Sequence, residues 1–292
     1  MFVFKAAVVG AGVMGGEIAQ VVAAADIPVV LKDVDQAFVD KGLEKAREVT
    51  ERHAGSLVKK GRASEEQAAA QVERTLSRIT GATSYDGFGD VDFVIEAVPE
   101  RMEIKHGVFA ELDAVTPGHA ILASNTSGLS ITEIADAVGD DRRPRVVGFH
   151  FFWPASAMRL VEVIESEDTA PEVAQAAANF AQQLRKTPIR CGECPGFVVN
   201  RILMSMVSEI WRHQDETGAP VKAIDEALKA GGVVPMGPFE LTDMTGLDTT
   251  LKVAKDLREA YGPERFHVHR GMEKLVAEGH LGAKTGKGFY EH

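Results

Sequence analysis

A short apolar run, Ala6 to Val9, is followed by three glycines, Gly10, Gly12 and Gly15, and then by helix-forming residues from Glu17 onward. That order predicts a strand, a turn and a helix. A second apolar run, "IPVVLKD", ends at Asp33 and completes a βαβ unit. From about residue 36 to 71 the chain is rich in Ala, Glu, Lys, Arg and Val, which predicts one or two long polar helices interrupted at Gly55 and Gly61. Strand patterns return in "DFVIEAV", "AILASN", "RVVGFHFF" and "RLVEVIE", with helical stretches at Met102 to Leu112 and Ile131 to Val138. Alternation of this kind predicts an α/β fold with a Rossmann-type doubly wound parallel sheet. Beyond Pro195 the segments "GFVVNRILMSMVSEIWRHQDE", "VKAIDEALKAGG", "TTLKVAKDLREAY" and "MEKLVAEGH" carry helical periodicity and no strand alternation. The chain is therefore expected to divide into an α/β domain, residues 1–192, with a helical excursion at 36–71, and a smaller all-α domain, residues 193–292.

Composition narrows the class of ligand. The formal charge of −11 argues against a nucleic-acid partner, because phosphate backbones are bound by basic surfaces, and an anionic ligand needs a local cationic site. With only Cys191 and Cys194, thiols alone build neither a disulfide framework nor a four-ligand zinc site, and no metal is expected. The "CGEC" pair reads as a redox dithiol or, more blandly, as small residues beside a hinge proline. No segment offers the roughly 20 uninterrupted apolar residues of a bilayer span. The N-terminus enters a strand pattern at once, with no charged leader and cleavage site. A soluble, cytoplasmic protein with no membrane partner is the expectation.

Gly10, Gly12 and Gly15 form G-x-G-x-x-G between a strand and a helix. In such a turn the first glycine bends the chain, the second admits a pyrophosphate and the third lets helix and strand pack closely, while the helix N-terminus supplies amide donors. Asp33, at the end of the second strand, suits the adenosine ribose hydroxyls and repels a 2′-phosphate, so NAD is favoured over NADP. Lys32 would soften that preference, but alternation turns its side chain away from that of Asp33. The competing reading is a glycine turn made only for packing.

His150 and Glu162 sit inside two runs that otherwise read as buried strand, where an unpaired charge is costly. Ligands of doubly wound sheets lie outside the carboxyl ends of the strands. There His150 could act as general base toward a substrate hydroxyl, with Glu162 holding its tautomer. Alternatively, His150 is a satisfied core histidine and Glu162 is salt-bridged to Arg159 or Arg145.

With these residues in place, the chain resembles the 3-hydroxyacyl-CoA dehydrogenase family, NAD-dependent and L-specific enzymes of fatty acid metabolism. The resemblance rests on "VVGAGVMGGEIA", "ASNTSGLSITEIA", "GFHFFWPASAMRLVEVI", "CPGFVVNRIL", "GPFELTDMTGLD" and "GAKTGKGFY", in the family's order. It implies reversible oxidation of an L-3-hydroxyacyl-CoA thioester to the 3-oxoacyl thioester. His150 would be the base and Glu162 its orienting partner, with Ser127 and Asn200 as neutral donors to the substrate; helix capping is the bland alternative for the last two. For the cofactor it implies Gly10, Gly12, Val13, Met14, Gly15, Asp33, Glu100, Lys105 and Lys284, although the two lysines could be ordinary solvated ones. The 36–71 excursion would help cover the CoA moiety, with Lys41, Lys45, Arg47, Arg52, Lys59 and Lys60 available to its phosphates, and the C-terminal helices would form a homodimer. The rival functions are a dehydrogenase of a carrier-protein-bound or free 3-hydroxy acid, and a catalytically idle NAD-binding protein.

One departure stands out. Where the family usually has Asn, this chain has Trp153, a bulkier side chain with one N–H donor and no acceptor. Trp153 either packs away from the chemistry or reshapes the acyl pocket, and Gly128, where a second serine is common, adds room next to Ser127.

Overall fold

All four residues of Ala6–Val9 are buried, as in a parallel strand covered on both faces. The computed structural model describes residues 2–292. Its first unit runs β1 (Ala6–Val9), α1 (Val13–Ala24), β2 (Val29–Lys32), α2 (Gln36–Lys59), α3 (Glu65–Leu76), β3 (Ile79–Ala82) and β4 (Phe93–Glu96). It continues with α4 (Met102–Val115), β5 (Ile121–Ser124), α5 (Ile131–Ala135), β6 (Val146–Phe151), β7 (Leu160–Glu165), α6 (Pro171–Gln183) and β8 (Thr187–Gly192). The chain divides between Cys194 and Pro195 into two compact units.

The strands form one eight-stranded sheet in the order β3-β2-β1-β4-β5-β6-β7-β8. The order reverses between β1 and β4, which opens a crevice at the carboxyl ends of those strands. The pairs from β3 through to β6 are parallel, whereas β6 and β7 are antiparallel, so the sheet is mostly rather than wholly parallel. The short connection from Phe151 to Leu160 explains the change, since a parallel crossover needs a dozen residues or more.

Phe93 of β4, Phe149 of β6 and Phe180 of α6 form the aromatic centre of the core, with ring centroids 4.5–5.9 Å apart. All three are fully buried. Truncating any one to Ala should cost about 3–5 kcal/mol.

Sequence and structure part in several places. Gly55 lies within α2 and does not interrupt it; the break comes after Lys59, at Gly61, whose φ is +65°. A Cβ at Gly55 would meet nothing within 4 Å, so the glycine costs propensity without forcing a bend. Strands β3 and β8 were absent from the apolar pattern because they lie at the sheet's two edges and are largely exposed. Helix α4 runs on to Val115, and α5 stops at Ala135 rather than Val138.

The C-terminal unit contains α7 (Val199–Thr217), α8 (Val221–Ala230), α9 (Pro238–Thr245), α10 (Leu247–Tyr261) and α11 (Arg270–Ala277). Trp211, Phe239, Leu247, Leu257, Phe266 and Met272 form its core. Two buried carboxylates tie it together. Asp225 accepts from the Phe239 and Glu240 N–H groups at the start of α9 and from the Tyr290 hydroxyl. Asp243 accepts from the Phe289 and Tyr290 N–H groups. Among the described residues, no helix is long and apolar enough to cross a membrane.

Candidate active site

The glycine turn leaves β1 at Gly10, whose φ of +101° suits only glycine. A Cβ there would lie 2.5 Å from the Ala97 carbonyl oxygen, and one at Gly15 would run into the Gly10 carbonyl. Both glycines are therefore demanded by the chain's own packing. Gly12 is different: its φ is −67° and a Cβ would meet nothing within 4 Å. The space beside it is an open cradle at the start of α1, whose first amides receive no side-chain cap and are flanked by the exposed Val13. That combination fits a pyrophosphate. Asp33 completes it. Its Oδ2 accepts from Ala11 N at 2.6 Å and its Oδ1 from Val34 N at 2.7 Å, so the carboxylate fixes the turn and keeps lone pairs for ribose hydroxyls. Lys32 is buried, with its ammonium 4.2 Å from the centre of the Tyr85 ring.

Next along the sheet, Glu96 ends β4 fully buried. It accepts from Lys105 Nζ at 2.8 and 3.0 Å, from Ser124 Oγ at 2.6 Å and from Val98 N at 2.7 Å. Lys105 also reaches Glu100 at 3.3 Å, and its side chain is 1% exposed, so it is not a solvated lysine. Glu100 in turn accepts from Thr126 Oγ1 at 2.5 Å and Ser127 N at 3.0 Å. A buried lysine between two carboxylates thus holds the loop that carries Ser127. The sequence reading passed over Glu96, although it had the same signal as His150: an ionisable residue within an apolar strand run.

His150 and Glu162 are opposite residues in the β6–β7 register. His150 Nδ1 is 2.8 Å from Glu162 Oε2, and Nε2 is 3.2 Å from Ser127 Oγ. His150 is 4% exposed and Glu162 fully buried. With the carboxylate accepting from Nδ1–H, the lone pair of the neutral imidazole lies on Nε2, on the Ser127 side. The Phe152 ring lies 4.6 Å from the imidazole, and Asn125 Oδ1 accepts from Phe151 N at 2.8 Å, pinning the end of β6. Arg145 donates to the His119 carbonyl. Ser127 caps no helix, since the N-cap of α5 is Ser130. Trp153 is 58% exposed.

Asn200 and Lys284 belong to the C-terminal unit. Asn200 is the second residue of α7, whose N-cap is Val198 with no side-chain cap. Lys284 pairs with Asp248 at 2.5 and 2.7 Å. Burial alone would raise the Asp248 pKa, but Lys284 and the Thr249 N–H hold it below the usual carboxylate value. On α2, Lys45 and Arg52 pair with Glu48, and Arg47 with Glu51.

What the fold and the site together define is an NAD-dependent oxidoreductase. Residues 5–194 match the family described as 3-hydroxyacyl-CoA dehydrogenase, NAD binding domain, and residues 196–292 match its C-terminal domain. The chain belongs to the 3-hydroxyacyl-CoA dehydrogenase family. It is 40% identical over 288 residues to a probable 3-hydroxybutyryl-CoA dehydrogenase of Deinococcus radiodurans, covering 99% of this chain and 100% of that one. It is also 40% identical over 290 residues to the human mitochondrial hydroxyacyl-coenzyme A dehydrogenase, covering 98% and 90%. A crystal structure of (S)-3-hydroxybutyryl-CoA dehydrogenase from Ralstonia eutropha superposes with a TM-score of 0.91 at 38% identity, covering 100% of this chain and 99% of that one.

Proposed function

We propose that the protein oxidises L-3-hydroxyacyl-CoA thioesters to 3-oxoacyl-CoA reversibly, with His150 as the general acid and base. The observation that carries this reading is the imidazole held at both nitrogens, 2.8 Å from Glu162 and 3.2 Å from Ser127. In the oxidative direction Nε2 takes the proton of the 3-hydroxyl, and in the reductive direction it returns that proton to the 3-oxo oxygen. Glu162 keeps the proton on Nδ1 in the resting state and stabilises the imidazolium once Nε2 is protonated. Ser127 steadies the reacting oxygen with a neutral hydroxyl that does not compete for the base. NAD, when bound, takes up or returns the hydride. It would be held by the open face of Gly12, the first amides of α1 and the Asp33 carboxylate, with Glu100, Lys105 and Lys284 proposed as further cofactor-binding residues. Asn200 is proposed as a second neutral donor to the thioester.

The exposed apolar residues Ile202 and Met206 lie four apart on α7, and Met244 on α9 is also exposed. This supports a homodimer formed through the C-terminal helices, so Ile202→Glu should shift the molar mass in solution toward that of the monomer. Two cysteines in 292 residues suit a reducing compartment, and a cytoplasmic location, checked by cell fractionation, completes the proposal.

Loss of NADH absorbance with acetoacetyl-CoA, a longer 3-oxoacyl-CoA and free acetoacetate tests the function. Turnover of the thioesters but not of the free acid is expected; turnover of the free acid alone, or none with any of the three, would overturn the reading.

A further inference from the structure

Two charged side chains outside the site converge on the segment that follows His150's strand. Glu17, in the second turn of α1, is 1% exposed. Its Oε2 accepts from Ser156 N at 3.2 Å and Ser156 Oγ at 3.3 Å. From the other side Lys186, in the turn between α6 and β8, donates Nζ–H to the Ala155 carbonyl at 2.6 Å and the Met158 carbonyl at 2.7 Å. Burial lowers the Lys186 pKa, while the nearby Glu17 charge works in the opposite direction. The segment also closes on itself, with Ala157 N and Met158 N both donating to the Pro154 carbonyl at 3.0 Å.

The product of these contacts is a turn with a fixed backbone and two outward apolar side chains. Ala155 is buried, whereas Trp153 is 58% exposed and Met158 43% exposed. Solvent-exposed connections rarely take up a carboxylate at such low exposure, because the desolvation is offset only when the charge is partnered. The turn leaves β6 one residue beyond Phe151, at the same strand end as His150. The carboxylate that braces it comes from α1, the helix whose N-terminus forms the glycine cradle.

We propose that Glu17 and Lys186 are positioning residues that fix the stance of the 153–158 segment and thereby set affinity and chain-length preference for the acyl thioester. The affinity part rests on the functional reading above. Neither residue touches the reacting atoms, so their loss should appear in KM and in the ranking of substrates rather than in the turnover number.

The test compares Glu17→Gln, which keeps shape and removes charge, with Lys186→Met, which keeps the stem and removes the donors. Each is assayed with acetoacetyl-CoA and a longer 3-oxoacyl-CoA. In both variants KM for the longer thioester relative to acetoacetyl-CoA should change by roughly threefold or more, with kcat on acetoacetyl-CoA and KM for NADH within about twofold of the parent. Lys186→Arg, which keeps the donors, should restore most of the ratio. Fluorescence supplies a readout that does not depend on turnover. The chain has two tryptophans, and Trp211 is fully buried, so acrylamide quenching of the parent against Trp153→Phe isolates Trp153. Both variants should alter that quenching. Unchanged substrate ratios and quenching, with only a lower Tm, would overturn the proposal and leave the two residues with a purely structural role. If the parent itself turned over no thioester, the functional reading and the affinity claim would fall together, and quenching alone would decide whether the clamp exists.

Discussion

His150 and Glu162 face one another across an antiparallel strand pair, joined at 2.8 Å through Nδ1. A Gln at position 162 would keep the shape but offer an amide that can donate to Nδ1, stabilising the tautomer with its lone pair on the wrong nitrogen. Glu162→Gln should therefore lower kcat by about 10²-fold or more, and His150→Gln by roughly 10²–10⁴-fold. NADH affinity, read by fluorescence titration, should stay within about twofold for both. A Glu162→Gln enzyme with near-parental kcat would remove the carboxylate from the mechanism.

The three glycines of the turn should separate into two kinds. Gly12→Ala meets no protein atom within 4 Å, so it should fold with an unchanged Tm and lose NADH affinity by roughly tenfold or more. Gly15→Ala collides with the Gly10 carbonyl and should lose both binding and stability. Thermal melting and NADH titration of the pair check this.

Asp33 anchors the turn, and in the proposed function it also discriminates the cofactor. Asp33→Ala frees the Ala11 and Val34 amides and removes the charge that opposes a 2′-phosphate. NADH affinity should fall by roughly tenfold, and the preference for NADH over NADPH should shrink, as measured by kcat/KM with each cofactor.

The C-terminal unit carries its own pH dependence. His269 caps α11 by accepting the Met272 N–H at Nδ1, while its Nε2 is 2.7 Å from Gln214 Oε1, an arrangement that requires the neutral ring. Burial pushes its pKa below the ordinary 6.5, against the pull of Asp215. The unfolded chain then binds a proton that the folded one excludes. The contribution is full above pH 6.5 and is lost as pH falls through the window below it. Tm should drop on going from about pH 7 to about pH 5, and His269→Asn, which caps without titrating, should flatten that slope.

Much of the fold was legible because its central strands are buried on both faces and read as unbroken apolar runs, as in Phe93–Glu96 and Val146–Phe151. The edges were not. β3 exposes two of its four residues and β8 contains Pro188, and each is held in place by a partner strand distant in sequence. Within the site, His150, Glu162 and Glu96 share one visible signal, an ionisable residue in an apolar strand. Glu17 carried a related signal, a carboxylate among Gly16, Ile18 and Ala19 in an otherwise apolar helix, whereas Lys186 lies in an ordinary polar turn. The relation of both to the 153–158 segment exists only once α1, β6 and β8 are assembled. Trp153 could be recognised from sequence as unusual, but its exposure depends on how the turn is braced.

The β6–β7 pairing also makes the His150–Glu162 contact a matter of parity. In the observed register Phe149 and Phe151, flanking His150, point to the face packed by Phe93 and Phe180. Removing a single codon within β6 would reverse the alternation, bringing a phenyl ring against the Glu162 carboxylate and driving the imidazole into the aromatic core. Deletion scanning across the hairpin would then abolish activity for one-residue losses inside either strand, whereas a length change between the strands would leave the alternation intact and disturb only the braced 153–158 segment.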